Sequence, residues 1–391
     1  MNSTTVQVAV VKAKTDYSDV EDAIRKGIQL IGGLENIIRA GQRVLLKPNL
    51  LEVRSGEQGA TTDKRVVGTL IKMVKELGAL PIVGDAAGIR FHGATERVLR
   101  ETGMREHCET LGAEVVSFDG VPPVETTIPE ARALKNCHFA STVLDCDAMI
   151  SVPKIKTHVL TRFTGAVKNL LGTLPGGQKT IAHLIGATPE GFAQVLVDIY
   201  AFLKPKLAVM DAVIGMGGTW RDSDRAEVGL IIVGWDGVAV DAVASHIVGF
   251  DPIKIPTLRV AAERGLGEID LSKIEILGED INNLSVERLA PGKIQTIFEG
   301  LLFSLQSGFV RKQAPKLLDA ECNGCKHCQQ VCPADAVIFE NKKPSGRVRS
   351  VSRPKFDLDR CIRCFCCHEL CPQRAITIDR GWRDILLRPF V

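Results

Sequence analysis

The sequence predicts an α/β protein, with a mostly parallel sheet domain flanked by helices and then a small, cysteine-rich α+β domain. Three observations carry this expectation. Short apolar runs alternate with amphipathic stretches over residues 6–280. The runs are continuous rather than alternating, as in strands covered on both faces. Finally, 9 of the 12 cysteines lie between Cys322 and Cys371. A chain of 391 residues has room for about two or three domains.

Strands are expected at 6–13, 43–49, 80–85, 113–118, 148–153, 206–212, 229–234 and 273–278. Runs such as RVLLKPN and LPIVGD are apolar and end at a polar or glycine residue. Helices are expected at 21–34, 64–78, 94–103, 188–203 and 236–249, from apolar residues three and four apart. Gly78 stands where a C-cap belongs, Thr188-Pro189 opens a helix, and Asp236 is a candidate N-cap. After Pro153 the chain reads as a long polar stretch. Residues 294–310 place Ile294, Ile297, Phe298, Leu301, Leu302, Leu305 and Phe309 on one helical face. That face suits a connector packed on its own protein, or a helix docked on a partner or membrane surface. The expected domains are 1–290, an amphipathic linker 291–314, the cysteine module 315–380 and a tail 381–391.

Composition excludes several classes. Apolar residues at 45% and charged residues at 24% argue against disorder. No uninterrupted apolar run reaches the length of about 18 residues that a transmembrane helix needs. The opening MNSTTVQVAVVKAK lacks the basic n-region of a secretory signal, so a cytoplasmic protein is expected. A net charge of +3 is too small to argue for nucleic acid as a partner. Residues 311–391 hold 16 Lys+Arg against 9 Asp+Glu, leaving 33 against 37 for residues 1–310. In a cytosolic chain, crowded cysteines point to metal or redox chemistry rather than disulfides. Cys108, Cys137 and Cys146 are scattered outside the cluster.

Within the cluster, Cys322, Cys325, Cys328 and Cys332 have the spacing C-x2-C-x2-C-x3-C and precede Pro333. Cys361, Cys364, Cys367 and Cys371 repeat it before Pro372. A cubane of four irons and four sulfides takes one thiolate per iron. Three closely spaced cysteines wrap three corners, and the cysteine before proline serves the other cluster in two-cluster ferredoxins. The expected sets are Cys322, Cys325, Cys328 and Cys371 for one 4Fe-4S cluster, and Cys332, Cys361, Cys364 and Cys367 for the other. CPADAVIF and CPQRAITI match across the halves, so the module reads as a bacterial-type dicluster ferredoxin domain. Zinc is the competing reading, but structural zinc prefers two C-x2-C pairs. Cys366 is a bystander beside Cys367 or an alternative ligand. His327 and His368 occupy matching places, where they tune the potential or are simply solvated. The basic insertion 340–356 is a solvated loop or a docking site for an acidic electron donor.

In the large domain, several strand ends deliver polar residues: Lys47 and Asn49, Asp85, then Lys154, Lys156 and His158, and Asp211. Ligands bind beyond the carboxyl ends of parallel strands, so a site is expected there. Lys154 and Lys156 alternate and share a strand face. With Thr164, Lys168 and Asn169 they suit an anion such as carboxylate or phosphate. Singly, each lysine is an ordinary solvated residue. His158 and His183 are candidate acids or bases near neutral pH, or structural histidines. Asp85, Asp198, Asp211 and Asp241 could hold a divalent metal, but none are closely spaced, and Asp198 and Asp241 fit polar helix faces. There is no P-loop, no dinucleotide fingerprint and no recognisable Ser-His-Asp constellation.

The segments LLKPNLL, GDAAG, MISVPKIKTH, TGAVKNLLGTLPG, MDAVIGM and GVAVDAVASHIVGFDP resemble the family called domain of unknown function 362, over residues 6–280. One departure is GTWRDSDRAEVG, where Trp220, Arg221 and Asp222 replace an expected Gly-Pro turn. The resemblance implies a redox enzyme or redox-linked protein of anaerobic metabolism, without naming a substrate. Together the features predict a ferredoxin-fused reductase that takes electrons from a donor protein or redox enzyme. Its two 4Fe-4S clusters would feed an anionic small-molecule substrate or cofactor. Lys154, Lys156 and Lys168 would hold the anion, with Lys47, Asn49, Asp85, Thr164, Asn169 and Asp211 lining the site and His158 supplying a proton. A non-catalytic electron-transfer or assembly protein that docks a partner is the alternative. A redox sensor is a third reading. Any flavin or divalent metal, and the oligomeric state, are not legible.

Overall fold

The computed structural model describes residues 5–379 apart from 55, 89–93, 159, 177, 187, 218–224, 291–313, 333, 340–351, 362–365 and 370. The chain separates into two units, Met1–Ala290 and Pro291–Val391. In the first, the strands are β1 (Val6–Lys12), β2 (Arg43–Pro48), β3 (Leu80–Asp85), β4 (Glu114–Ser117), β5 (Pro123–Thr127), β6 (Asn136–Ala140), β7 (Ala148–Val152), β8 (Lys154–His158), β9 (Arg162–Thr164), β10 (Leu207–Met216), β11 (Arg225–Gly234) and β12 (Ile274–Gly278). The helices are α1 (Val20–Leu30), α2 (Lys64–Glu76), α3 (Ala94–Glu101), α4 (Met104–Thr110), α5 (Ser141–Leu144), α6 (Ala166–Asn169), α7 (Gln178–Ile185), α8 (Pro189–Leu203), α9 (Gly237–Ile247) and α10 (Pro256–Glu263).

The main sheet runs β12-β1-β11-β10-β7-β2-β3-β4, with β8 beside β10 and β9 beside β8. Within it only β11 and β9 oppose the common direction. The sheet is therefore mostly parallel, and the carboxyl ends of β1, β2, β3, β7 and β10 face one edge. α1 and α2 pack on one side and α6 and α9 on the other. That double cover is why β10, LAVMDAVIGM, is buried along its whole length despite its central aspartate. From β2 the chain runs outward to β3 and β4, then returns to place β7 on the other side of β2. The β2/β7 boundary is thus a topological switch point, where such sheets leave a crevice.

Pro153 separates β7 from β8. It has no N–H to give the ladder, and beyond it the chain leaves β2 and pairs with β10 and β9. The expected long polar stretch is thus corrected to a short hairpin followed by α6 and α7. The β5–β6 hairpin also escaped the sequence reading, because PVETT is nearly all exposed and shows no apolar pattern. α4 and α10 were not expected either.

In the second unit, β13 (Ala314–Leu317) pairs antiparallel with β16 (Ile376–Asp379), and β14 (Val337–Phe339) with β15 (Pro354–Phe356). Short helices α11 (His327–Gln330) and α12 (Cys366–Glu369) complete it. The proposed linker helix at 294–310, most of the basic insertion, the tail, Trp220, Arg221, Asp222 and Cys364 lie outside the described residues. Among the described residues no helix is long and apolar enough to cross a membrane.

Close packing over the β2 and β3 ends admits no side chain at Gly172. A Cβ there would stand 2.0 Å from Asp85 Oδ1 and 2.7 Å from Lys47 Nζ. Gly172→Ala is predicted to destabilise the protein by about 1–3 kcal/mol through overpacking. Gly120→Ala, whose nearest neighbour is 3.9 Å away, should leave stability unchanged. Anaerobic denaturant unfolding of the two variants checks this, and equal midpoints would contradict it.

Candidate functional site

At the carboxyl ends of β2 and β3, Lys47 Nζ meets Asp85 Oδ1 at 2.7 Å, both groups buried. Asp85 also accepts the backbone N–H of Leu50 at 2.7 Å and of Ala86 at 2.9 Å. Across the sheet, Lys154 Nζ meets Asp211 Oδ2 at 2.9 Å, again fully buried. Asp211 accepts the Asp63 N–H at 2.8 Å and the Tyr17 hydroxyl at 3.0 Å, and Lys154 donates to that hydroxyl at 2.7 Å. A bulge at Ala212–Ile214 takes the Val213 N–H out of the ladder, and Asp211 Oδ1 accepts it at 3.2 Å. Lys47 and Lys154, expected to grip an anion, thus already hold carboxylates of their own chain.

Asn169 braces the same floor. Its Nδ2 donates to Lys47 O at 2.9 Å and Ser151 Oγ at 3.1 Å, and its Oδ1 accepts from Asn49 Nδ2 at 3.3 Å. Asn49 in turn accepts Lys156 Nζ at 2.5 Å, while Ala60 O takes the same ammonium at 2.9 Å.

The β8–β9 hairpin brings a second group together. Lys156 stands opposite Thr164, and His158 opposite Arg162, so Lys156, His158 and Thr164 share a face. His158 Nδ1 receives the Thr161 N–H at 3.1 Å, which leaves the ring proton on Nε2. Burial, then the charges of Lys168, His183 and Lys156, hold this imidazole well below its ordinary range. Burial thus favours the neutral imidazole here. His183 is pushed down to about 4, mainly by burial, and its ring lies 4.4 Å from that of Phe192. Thr164 is 1% exposed, and its Oγ1 has no hydrogen-bond partner among the described residues.

Asp198 and Asp241 are not polar-face residues. Asp198 is buried, takes the N–H groups of Arg132, Ala133 and Leu134, and pairs with Arg264 at 2.7 Å. Asp241 accepts the N–H of Ala166 at 2.6 Å and of Val167 at 3.1 Å, fixing the start of the helix that carries Lys168 and Asn169. Tyr17, Asp63 and Lys179 escaped the sequence reading. Lys179 Nζ donates to Ala86 O and Ala87 O beyond β3. Tyr17 carried a signal, being one of only 2 tyrosines and following β1.

In the second unit, Cys322, Cys325, Cys328 and Cys371 line one pocket with Lys326, Phe339 and Ile376. The gathered set is the one expected for the first cluster, including the cysteine from the opposite half. The Cys328 thiol is pushed up to about 12, first by burial and then by Cys371, Cys325 and Cys322. Of the four, Cys328 is buried, Cys322 and Cys371 are half-buried and Cys325 is exposed; thiolates gathered in one place need compensating positive charge, which iron would supply. The residues therefore fit a cubane. The halves also match in detail: Ala336 N–H donates to Cys332 Sγ and Ala375 N–H to Cys371 Sγ, each at 3.2 Å. Of the second set, Cys332 and Cys367 are buried and Cys361 half-buried, while Cys364 lies outside the described residues. His327 is buried rather than solvated, and His368 Nδ1 lies 2.6 Å from Ile376 O.

Residues 44–246 match the family model for the domain of unknown function 362, and residues 321–375 match that for a 4Fe-4S dicluster domain. The chain belongs to the domain of unknown function 362 family, and its C-terminal module is an iron–sulfur domain with an electron-transfer role. It is 30% identical to the thylakoid-associated protein sll1697 of Synechocystis sp. over 247 residues, covering 63% of this chain and 74% of that one. It is 47% identical to the pyruvate synthase subunit PorD of Pyrococcus abyssi over 47 residues, covering 12% and 40% respectively. A solved lactate racemase apoprotein from Thermoanaerobacterium thermosaccharolyticum is similar at a TM-score of 0.39 and 10% identity, over 60% of this chain and 54% of that one.

Two outcomes are expected of these geometries. Cys371→Ser should lower the iron content of anaerobically prepared protein from about eight to about four atoms per chain, while Cys366→Ser leaves it intact. Unchanged iron and sulfide in the first variant would overturn the ligand set. The second outcome concerns Asp241, held up at about 7, chiefly by burial, against 3.8 for the free group. Folded protein then binds the extra proton, so stability declines as pH rises through this interval and levels off above it. Asp241→Asn should flatten that decline between about pH 5 and 8. Denaturant unfolding across the range reads the slope, and an identical slope in the variant would show that Asp241 does not titrate there.

Proposed function

We propose, from membership in this family and the dicluster module as premises, that the chain is a ferredoxin-fused reductase. Electrons enter through two 4Fe-4S clusters and pass to an anionic small molecule held by the α/β domain. The observation that carries this reading is the presence, on one chain, of a cysteine-lined cluster cavity and of a buried basic group at the carboxyl ends of a parallel sheet. The clusters, when bound, supply single electrons.

The chain's own residues do the rest. Lys156 and Lys168 attract the anion and stabilise the negative charge it gains on reduction. Neutral His158 donates a hydrogen bond from Nε2. The Lys47–Asp85 and Lys154–Asp211 pairs hold the strand ends in place, so Lys47, Lys154, Asp85 and Asp211 position the site rather than touch the ligand. Asn49 and Asn169 relay that order to Lys156. The excess of basic residues in the module suits an acidic electron donor.

One observation favours the alternative of a docking protein. α7 turns Ile181, Leu184 and Ile185 to solvent, each 44–50% exposed. A partner covering that face would make the α/β domain a receptor rather than an enzyme.

Reoxidation kinetics separate the two. Clusters reduced under oxygen exclusion and freed of reductant should reoxidise when an anionic acceptor is added. Lys156→Gln should slow this about a hundred-fold with iron content unchanged. Equal rates would take the α/β site off the electron path and leave the docking reading.

A further inference from the structure

Lys179 is held differently from the two lysines that meet carboxylates at this edge of the sheet. Its Nζ donates to Ala86 O at 2.9 Å and to Ala87 O, and it makes no ion pair among the described residues. Both acceptors are neutral carbonyls, whereas Lys47 and Lys154 lie 2.7 and 2.9 Å from Asp85 and Asp211. Ala86 and Ala87 directly follow β3, so the amine stands at the carboxyl edge, where ligands of parallel sheets bind. It also stands beside a charged pair. The Ala86 N–H donates to Asp85 Oδ1 at 2.9 Å, and that oxygen takes Lys47 Nζ at 2.7 Å. Lys179 is half-buried rather than sealed in the core.

Two carbonyl partners suit an uncharged amine. A neutral amine has two N–H bonds and one lone pair, so two acceptors use both bonds and leave the lone pair unengaged. An ammonium in the same place would hold a full charge with no carboxylate in contact, which is costly away from water. Burial pulls the group below its ordinary range, against the upward pull of the Asp119 and Asp85 carboxylates, and the Lys47 charge adds to the fall. A lysine desolvated beside another cation is the activated form of this nucleophile.

We propose that Lys179 is a covalent binding site, its ε-amine condensing with the carbonyl group of a small aldehyde or ketone to form an imine. The lone pair attacks the carbonyl carbon, and the N–C bond forms as the C=O π pair moves to oxygen. Nitrogen then gives up its two protons, and the oxygen departs with them as water, leaving C=N. No electrons are gained or lost overall. The two carbonyls of the β3 loop aim the amine, and the neighbouring Lys47 charge keeps it unprotonated. This goes beyond the reductase reading and does not rest on it, since condensation needs nothing from the clusters.

The test is reductive trapping on the parent protein. Anaerobic, cluster-loaded protein is mixed with glyoxylate and sodium cyanoborohydride at pH 7, digested, and mapped by mass spectrometry for carboxymethylated lysines. Lys179 should gain the adduct at least about ten-fold faster than the exposed Lys26. Between pH 9 and 7 an ordinary lysine loses about a hundred-fold of its free amine, and the rate at Lys179 should decline less steeply than that. Labelling of Lys179 no faster than Lys26 at pH 7 overturns the proposal, as does an equally steep decline with pH. The result is separable from the reoxidation kinetics of Lys156→Gln, because trapping reads the amine and never the clusters.

Discussion

A lysine ammonium withdrawn from water has to meet a carboxylate, and the α/β domain is organised around two such meetings. Breaking a buried pair of this kind leaves an uncompensated charge and typically costs about 3–5 kcal/mol. Burial alone pushes Lys47 and Lys154 down and Asp85 and Asp211 up, towards neutrality, while each partner's charge pulls the other back. The pairs are best described as charged, because each carboxylate accepts two further backbone N–H donors that an ionised oxygen satisfies best. Those N–H groups belong to the segments after β2 and β3, to the bulge within β10 and to the residue that caps α2. The two pairs therefore tie loops from distant parts of the sequence to one edge of the sheet.

The pairs also sort the lysines. Lys47 and Lys154 spend their charge inside the protein and hold geometry. The Lys156 and Lys168 charges fall on the hairpin and the helix beyond it, next to two histidines that burial keeps neutral. Neutral histidines add no positive charge of their own, so the positive charge on the hairpin and the following helix is that of the lysines. The same division explains why Asp241 matters. It fixes the first turn of the helix carrying Lys168, and Gly165 leaves it room, since a Cβ there would stand 2.0 Å from Asp241 Oδ1.

Much of this was legible in the sequence, for identifiable reasons. Parallel strands buried on both faces read as apolar runs, so β2, β3, β7 and β10 were visible, as was the convergence of their polar ends. Capping chemistry located α8 and α9 from Thr188 and Asp236, and both side chains accept the expected N–H groups. The cysteine spacing gave a ligand set whose four members line one cavity. What pattern could not supply was pairing across long sequence distances. Nothing local says that Lys154 belongs to Asp211, 57 positions away, or Lys47 to Asp85, 38 away. Lysine is usually solvated, and only the sheet topology reveals that these are not. Tyr17 was missed because it stands in a polar turn and joins its partners through the same long-range closure.

The iron–sulfur unit poses the converse problem, a domain whose interior is made partly of its own ligands. Its buried cluster consists of Cys328, Cys332 and Cys367 with Ala336, Val337 and Ile376. Small side chains of that kind bury little apolar surface, and units this small lean on metals or cross-links for stability. Burial makes the Cys328 thiol resist ionisation, yet thiolate is the form that binds iron. In small metal-binding units, metal binding and folding are commonly one equilibrium. The cross-half placement of Cys371 follows the same logic. Cys371 from one half lines the cavity of the other half's cysteines, so a cluster held there would tie the two halves together.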